Sequence, residues 1–156
     1  YAIHAWQEFN PLYFESLVQL QWGAPMHISH GGFQFASVRY FNPETRRPGL
    51  PKGVSALVSH IDQTGMSLTL ANVGSELTHV ILQAGAFGEH TFVSSSQTQG
   101  QEISVDGPWC EIEVPAESSV SLDLKIARHS RVPSYATPFE SSENWDPLIK
   151  PRMTDD

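Results

Sequence analysis

From Val54 to Ala127, short runs of alternating apolar and polar residues succeed one another, separated by Gly, Ser, Asp or Pro. A period of two puts successive side chains on opposite faces of a strand, so each run can bury one face and wet the other. Several such runs joined by turn residues predict stacked antiparallel sheets. With Gly and Pro at 11 each, charged residues at 17% and hydrophobic residues at 40%, many short strands suit the composition better than a helical bundle does. At 156 residues the chain has the length of one domain, enough to bury a sizeable core without cross-links.

The strands can be read individually. Val54 to Ile61 and Met66 to Val73 form a hairpin around Asp62-Gln63-Thr64-Gly65, with Leu68 and Leu70 on one face. His79 to Gln83, Glu89 to Val93, Glu102 to Val105, Trp109 to Val114 and Ser119 to Ile126 follow, the last after the polar turn Pro115-Ala116-Glu117-Ser118. Ser94 to Gln101 reads as a polar loop. Upstream, Gly31-Gly32 introduces a strand from Phe33 to Phe41, bulged near Ala36 where the alternation slips. The expected fold is mainly β: an antiparallel β-sandwich of about eight strands, one N-terminal helix before it and a Pro-rich extended tail after it.

The helix spans Pro11 to about Gln21. Asn10-Pro11 is a helix start, because Asn caps free amides and Pro fits a first turn; Gly23 and Pro25 close it. Leu12, Phe14, Leu17, Val18 and Leu20 supply its apolar face, and Trp6, Phe9, Tyr13 and Trp22 surround it, so it is expected to pack on two sides. Between Asn42 and Gly53 lies a connection rich in Pro and Gly, whose Arg46-Arg47 reads as exposed turn charge or a small anion-facing patch. Beyond Ala127, Pro133, Pro138, Pro147 and Pro151 interrupt every window long enough for an element, and Trp145, Leu148 and Ile149 leave the tail apolar enough to dock. The chain divides into 1–32, the helix and a histidine-containing loop; 33–127, the sandwich; and 128–156, the tail.

A formal net charge of −8 opposes nucleic acid, whose phosphates attract basic surfaces, and opposes anionic membrane surfaces for the same reason. No run approaches the roughly eighteen apolar residues of a membrane span. Cys110 is the single cysteine, so no intrachain disulfide can form, and its place in an alternating strand beside Trp109 reads as a buried, inert thiol.

Catalytic motifs are sparse. The chain lacks a Gly-x-Ser-x-Gly elbow and phosphate-cradling glycine loops. Glu111 and Glu113 share a strand face, though sequence alone does not set the gap between carboxylates that sugar hydrolysis needs. His27 and His30, in Met26-His27-Ile28-Ser29-His30-Gly31-Gly32, are the candidate metal site: two imidazoles this close can bind zinc or another divalent metal if a third ligand arrives from elsewhere. The competing reading packs one of them on Trp22 and lets the other cap a turn. His90 follows a glycine-rich bend and reads as a strand histidine facing solvent or a partner, with Glu89 on the opposite face; His4, His60, His79 and His129 are dispersed.

The phrases Ser67-Leu68-Thr69-Leu70-Ala71-Asn72-Val73-Gly74 and Pro115-Ala116-Glu117-Ser118-Ser119-Val120-Ser121-Leu122 resemble the all-β C-terminal domains appended to carbohydrate-processing and other multidomain enzymes. The resemblance covers about half the chain, Val54 to Ile126, and carries over no active-site residue. It implies an accessory domain or small subunit that packs against a catalytic partner. That partner is another polypeptide or the remainder of the chain's own precursor, since Tyr1 to Trp6 reads as the middle of an element. The expected interface residues are Trp6, Phe9, Tyr13, Trp22 and Trp145. A metal-dependent enzyme built on His27 and His30, and a carbohydrate-binding module using exposed tryptophans, are the alternatives.

Overall fold

The computed structural model of the chain describes residues 14–24, 35–97 and 102–140. Within them the architecture is one helix, α1 (Phe14–Trp22), and nine strands: β1 (Val38–Asn42), β2 (Arg47–Pro48), β3 (Val54–Ile61), β4 (Gly65–Asn72), β5 (Thr78–Ala84), β6 (Thr91–Gln97), β7 (Glu102–Gly107), β8 (Trp109–Val114) and β9 (Ser118–Ala127). They form two antiparallel sheets, one ordered β2-β1-β5-β8 and the other β3-β4-β9-β6-β7, the expected β-sandwich.

The alternation read from the sequence is what joins the layers. Val38 and Tyr40 from β1, Val80, Leu82 and Ala84 from β5, and Cys110, Ile112 and Val114 from β8 face Met66, Leu68 and Leu70 from β4 and Leu122, Leu124 and Ile126 from β9 in one buried cluster. Every second residue of β9 stays outside: Ser119, Ser121, Asp123 and Lys125 are exposed. Burying these aliphatic side chains stabilises the sandwich by roughly 1.5–3 kcal/mol for each of the larger ones.

α1 closes one edge of the sandwich against β3. It ends at Gly23, whose φ of +60° is the left-handed conformation of a helix C-terminus, with the Ala24 N–H bonding back to the Gln19 carbonyl at 3.1 Å. A Cβ at Gly23 would also lie 2.9 Å from Ile61 Cδ1 and 3.1 Å from Val58 Cγ1, so glycine is what lets the helix end sit on β3. Residues 11–13 of the expected helix lie outside the described residues.

Three boundaries differ from expectation. Of the strand expected from Phe33 to Phe41, residues 33–34 lie outside the described residues, and the described part begins only at Val38: the Ser37 N–H and hydroxyl donate to the carbonyls of Trp22 and Gly23, and the Ser37 carbonyl accepts from Gly85, so this backbone ties α1 to the sheet instead of extending a ladder. The Pro-rich connection after Asn42 contains the two-residue β2, which raises the strand count to nine. The first part of the loop expected from Ser94 to Gln101 is strand: β6 runs to Gln97, because it lies between β9 and β7 and its backbone groups are paired on both sides whatever its side chains prefer, while residues 98–101 lie outside the described residues.

The outer face of the first sheet is covered in part. Phe41 and Ile81 pair across β1 and β5 on the side opposite Tyr40 and Leu82, yet they are 0% and 9% exposed. Residues 128–140, the described part of the tail, return over this side. The Phe139 ring stands edge-on to Phe41 with centroids 6.0 Å apart, Arg46 Nη2 donates to the Phe139 carbonyl at 2.9 Å, and the Ser134 N–H donates to the Phe87 carbonyl at 2.9 Å. This stretch is extended as expected, and it docks on its own sheet.

Candidate functional site

Two groups of titratable residues lie at the ends of β5. The first is the bend between β5 and β6. Gly85 and Gly88 adopt φ of +87° and +64°, turning the chain so that Glu89 folds back and its Oε2 accepts the Phe87 N–H at 2.8 Å. A Cβ on Gly85 would lie 2.4 Å from the Glu89 carboxyl carbon, so the bend is built around that carboxylate. His90 follows, 5% exposed, with Nε2 3.9 Å from Glu89 Oε1 and Nδ1 accepting the backbone N–H of His129 at 2.9 Å. The two imidazole rings meet edge to face, centroids 4.8 Å apart.

This corrects the sequence reading of His90. It is buried, not facing solvent, and Glu89 lies beside it, not on an opposite face, because β6 begins only at Thr91 and strand alternation does not apply to the bend. Burial holds the His90 imidazole below its ordinary value; Glu89 opposes that shift, while His129 and Arg128 add to it. The meeting of His90 with His129 is a long-range contact for which the sequence offers no spacing signal.

The second place is an open cleft of about 470 Å³ at the other end of β5, lined by Asn42, Glu44, Glu76, His79 and Glu111 among others. His79 Nδ1 lies 3.2 Å from Glu111 Oε1, a diagonal pair across β5 and β8, with side chains 39% and 56% exposed. In water an ion pair of this kind contributes little, about 0–1 kcal/mol. Glu111 and Glu113 do share the outward face of β8, as read from the sequence.

Cys110 is buried, and burial followed by the neighbouring Glu111 charge pushes its thiol up, away from the reactive thiolate. Among the described residues no three or more His, Cys, Asp and Glu are grouped so as to hold a metal ion. His27 and His30 lie outside the described residues, as do Trp6, Phe9, Tyr13 and Trp145. Trp22 is half-buried and packs against the core cluster, and Trp109 is half-buried with its Nε1 donating to Gln83 Oε1 at 3.3 Å. No described helix is long and apolar enough to cross a membrane.

A third feature is apolar. Between α1 and β3 runs a groove of about 400 Å³ bounded by Gln19, Leu20, Gly23, Ala24, Val58 and Ile61. Leu20 and Ile61 on its walls are 50% and 43% exposed, and Leu17, one turn back on the helix, is 67% exposed. No known protein family, curated protein or solved structure matches the chain.

Proposed function

We propose that the chain is a β-sandwich accessory domain or small subunit of a larger enzyme, and that it packs against a catalytic partner through the side on which α1 lies. The observation that carries this reading is the apolar groove between α1 and β3, where Leu20 of the helix and Ile61 of β3 stay exposed, with Leu17 exposed one turn back, on a helix whose other side is half-buried against the sandwich. Neighbouring exposed apolar side chains rimmed by polar ones are the usual mark of an interaction site. The described histidines and carboxylates lend less support to a self-contained enzyme: His90 serves as a backbone acceptor, and the His79–Glu111 pair sits in open solvent. The metal reading rests on His27 and His30, and the tryptophan reading on Trp6 and Trp145, all outside the described residues, and on Trp22 and Trp109, which are half-buried.

Native mass spectrometry of the protein isolated from its source, with metal analysis of the same sample, tests the proposal. A complex heavier than 17.3 kDa that the Leu20→Asp variant fails to form supports it. A monomer of 17.3 kDa carrying one stoichiometric metal overturns it and moves the chemistry to His27 and His30.

A further inference from the structure

Arg128 is held on the turn between β3 and β4, its Nε and Nη2 donating to the carbonyls of Gln63 at 3.3 Å and Asp62 at 2.6 Å, and beyond it the first point at which residues 129–140 fasten to the rest of the fold is an imidazole nitrogen. His129 donates its backbone N–H to His90 Nδ1 at 2.9 Å, and a nitrogen that accepts must carry a lone pair, so the ring is neutral with its proton on Nε2. Further fastenings sit on the same bend: the Arg131 N–H donates to the Glu89 carbonyl at 3.2 Å, the Ser134 N–H to the Phe87 carbonyl at 2.9 Å, and the Tyr135 ring meets Phe87 edge-on at 5.6 Å, while Phe139 is held farther along by Phe41 and Arg46. Thr91 and Ser130 hydroxyls bond at 2.7 Å beside them. His129 itself holds φ at +51°, a conformation a residue with a Cβ adopts when its surroundings fix it.

We propose that His90 is an acid-operated latch: a proton on its Nδ1 ejects the His129 amide and frees the strap of residues 129–140 from the bend, loosening its cover on the outer face of the first sheet.

The step is a simple protonation. The proton comes from solvent and takes the Nδ1 lone pair that held the amide; two donors then face each other, the hydrogen bond is lost, and the charged ring is left buried. Among the described residues the charged and titratable groups bearing on the ring are Glu89 from the bend and His129 and Arg128 from the strap. Glu89 favours the proton but stands 3.9 Å off and is engaged with the Phe87 amide. His129 and Arg128 oppose it; Arg128 stays bonded to the Asp62 and Gln63 carbonyls, while His129 leaves when the strap lifts, so release relieves its share of the repulsion. Strap release would uncover Phe41, now 0% exposed beneath Phe139, and the Phe87 ring. Acid would thus turn a covered sheet face into an apolar surface.

Hydrogen-exchange NMR on the ¹⁵N-labelled full chain, from about pH 8 to about pH 5, across the histidine range, reads the latch directly. The His90 ring should titrate below the ordinary histidine value. Across the interval between that value and its own, the opening constants of the His129, Arg131 and Ser134 amides should rise about tenfold per pH unit, the slope of one linked proton. In His90→Gln, whose amide carbonyl can still accept from His129 and cannot titrate, that rise should vanish. His129→Asn keeps the backbone donor and tolerates positive φ; it should retain the release, with its midpoint moved toward the ordinary histidine value. Strap amides that keep their protection while His90 titrates overturn the proposal. So does an unchanged rise in His90→Gln, or a release lost in His129→Asn.

Discussion

Asn72, at the end of β4 and 2% exposed, makes three hydrogen bonds with one side chain: Nδ2 donates to the carbonyls of Glu76 at 2.8 Å and Val114 at 3.2 Å, and Oδ1 accepts the Gly74 N–H at 2.8 Å. It thereby ties the β4–β5 turn to the end of β8, joining the two sheets at that corner. Asn72→Leu has similar volume and removes all three partners at once, leaving two carbonyls and an amide to find water or stay unpaired. The expected loss is about 1–3 kcal/mol, the desolvation penalty of buried polar groups left unmade. A urea midpoint that falls with an unchanged slope would register it as stability and not as a change of compactness.

At the scale of elements, the strap is the feature with a second core beneath it. Phe139 over Phe41 contributes about 1 kcal/mol as a ring pair, in addition to the apolar area it buries. Phe139→Ala is therefore expected to lower the urea midpoint and to speed tryptic cleavage after Arg131 at neutral pH, where only the His90 bond and the other contacts at the bend would hold the strap. The elements differ in how far sequence reasoning reached them, and the reason is physical. β4, β8 and β9 follow from alternation because one face of each meets the core and the other meets water. Ser94 and Ser95 are buried in β6 on backbone pairing alone, which side-chain pattern does not encode. Phe41 and Ile81 blur the alternation of β1 and β5 because the strap buries the outer face too. The His90–His129 contact spans 39 residues and is set by the bend at Gly85 and Gly88, so no local spacing could announce it. Cys110 was legible because its strand position alone implied burial.

For the molecule as a whole, His90, Asp62, Cys110 and Tyr40, among the described residues, are displaced from their ordinary values in ways that shape stability against pH. His90 titrates below its ordinary value of 6.5, so the folded chain binds fewer protons than the unfolded one as pH drops past 6.5, and stability declines there until the folded value is passed. Asp62 adds a second acid step. Its Oδ1 accepts from the Thr64 hydroxyl and the amides of Thr64 and Gly65, which hold the carboxyl below its ordinary 3.8, so the turn's contribution is present above 3.8 and lost below it. On the alkaline side the sign reverses. Burial raises Cys110 above 9.0 and Tyr40 above 10.0, so their neutral forms stabilise the fold below those values and the advantage disappears as pH rises beyond them. The expected curve is a plateau between about pH 6.5 and pH 9, falling on both sides. Urea midpoints measured across that range check it, and variants divide the limbs. His90→Gln should flatten the fall just below 6.5 and leave the deeper acid step of Asp62 in place. Tyr40→Phe should flatten the fall above 10, at the cost of the hydrogen bond from the Tyr40 hydroxyl to the Gln21 carbonyl that helps hold α1 on the sandwich. A His90→Gln curve that still falls between pH 6.5 and the carboxylate range would place the acid limb on some other group and remove His90 from the account of stability.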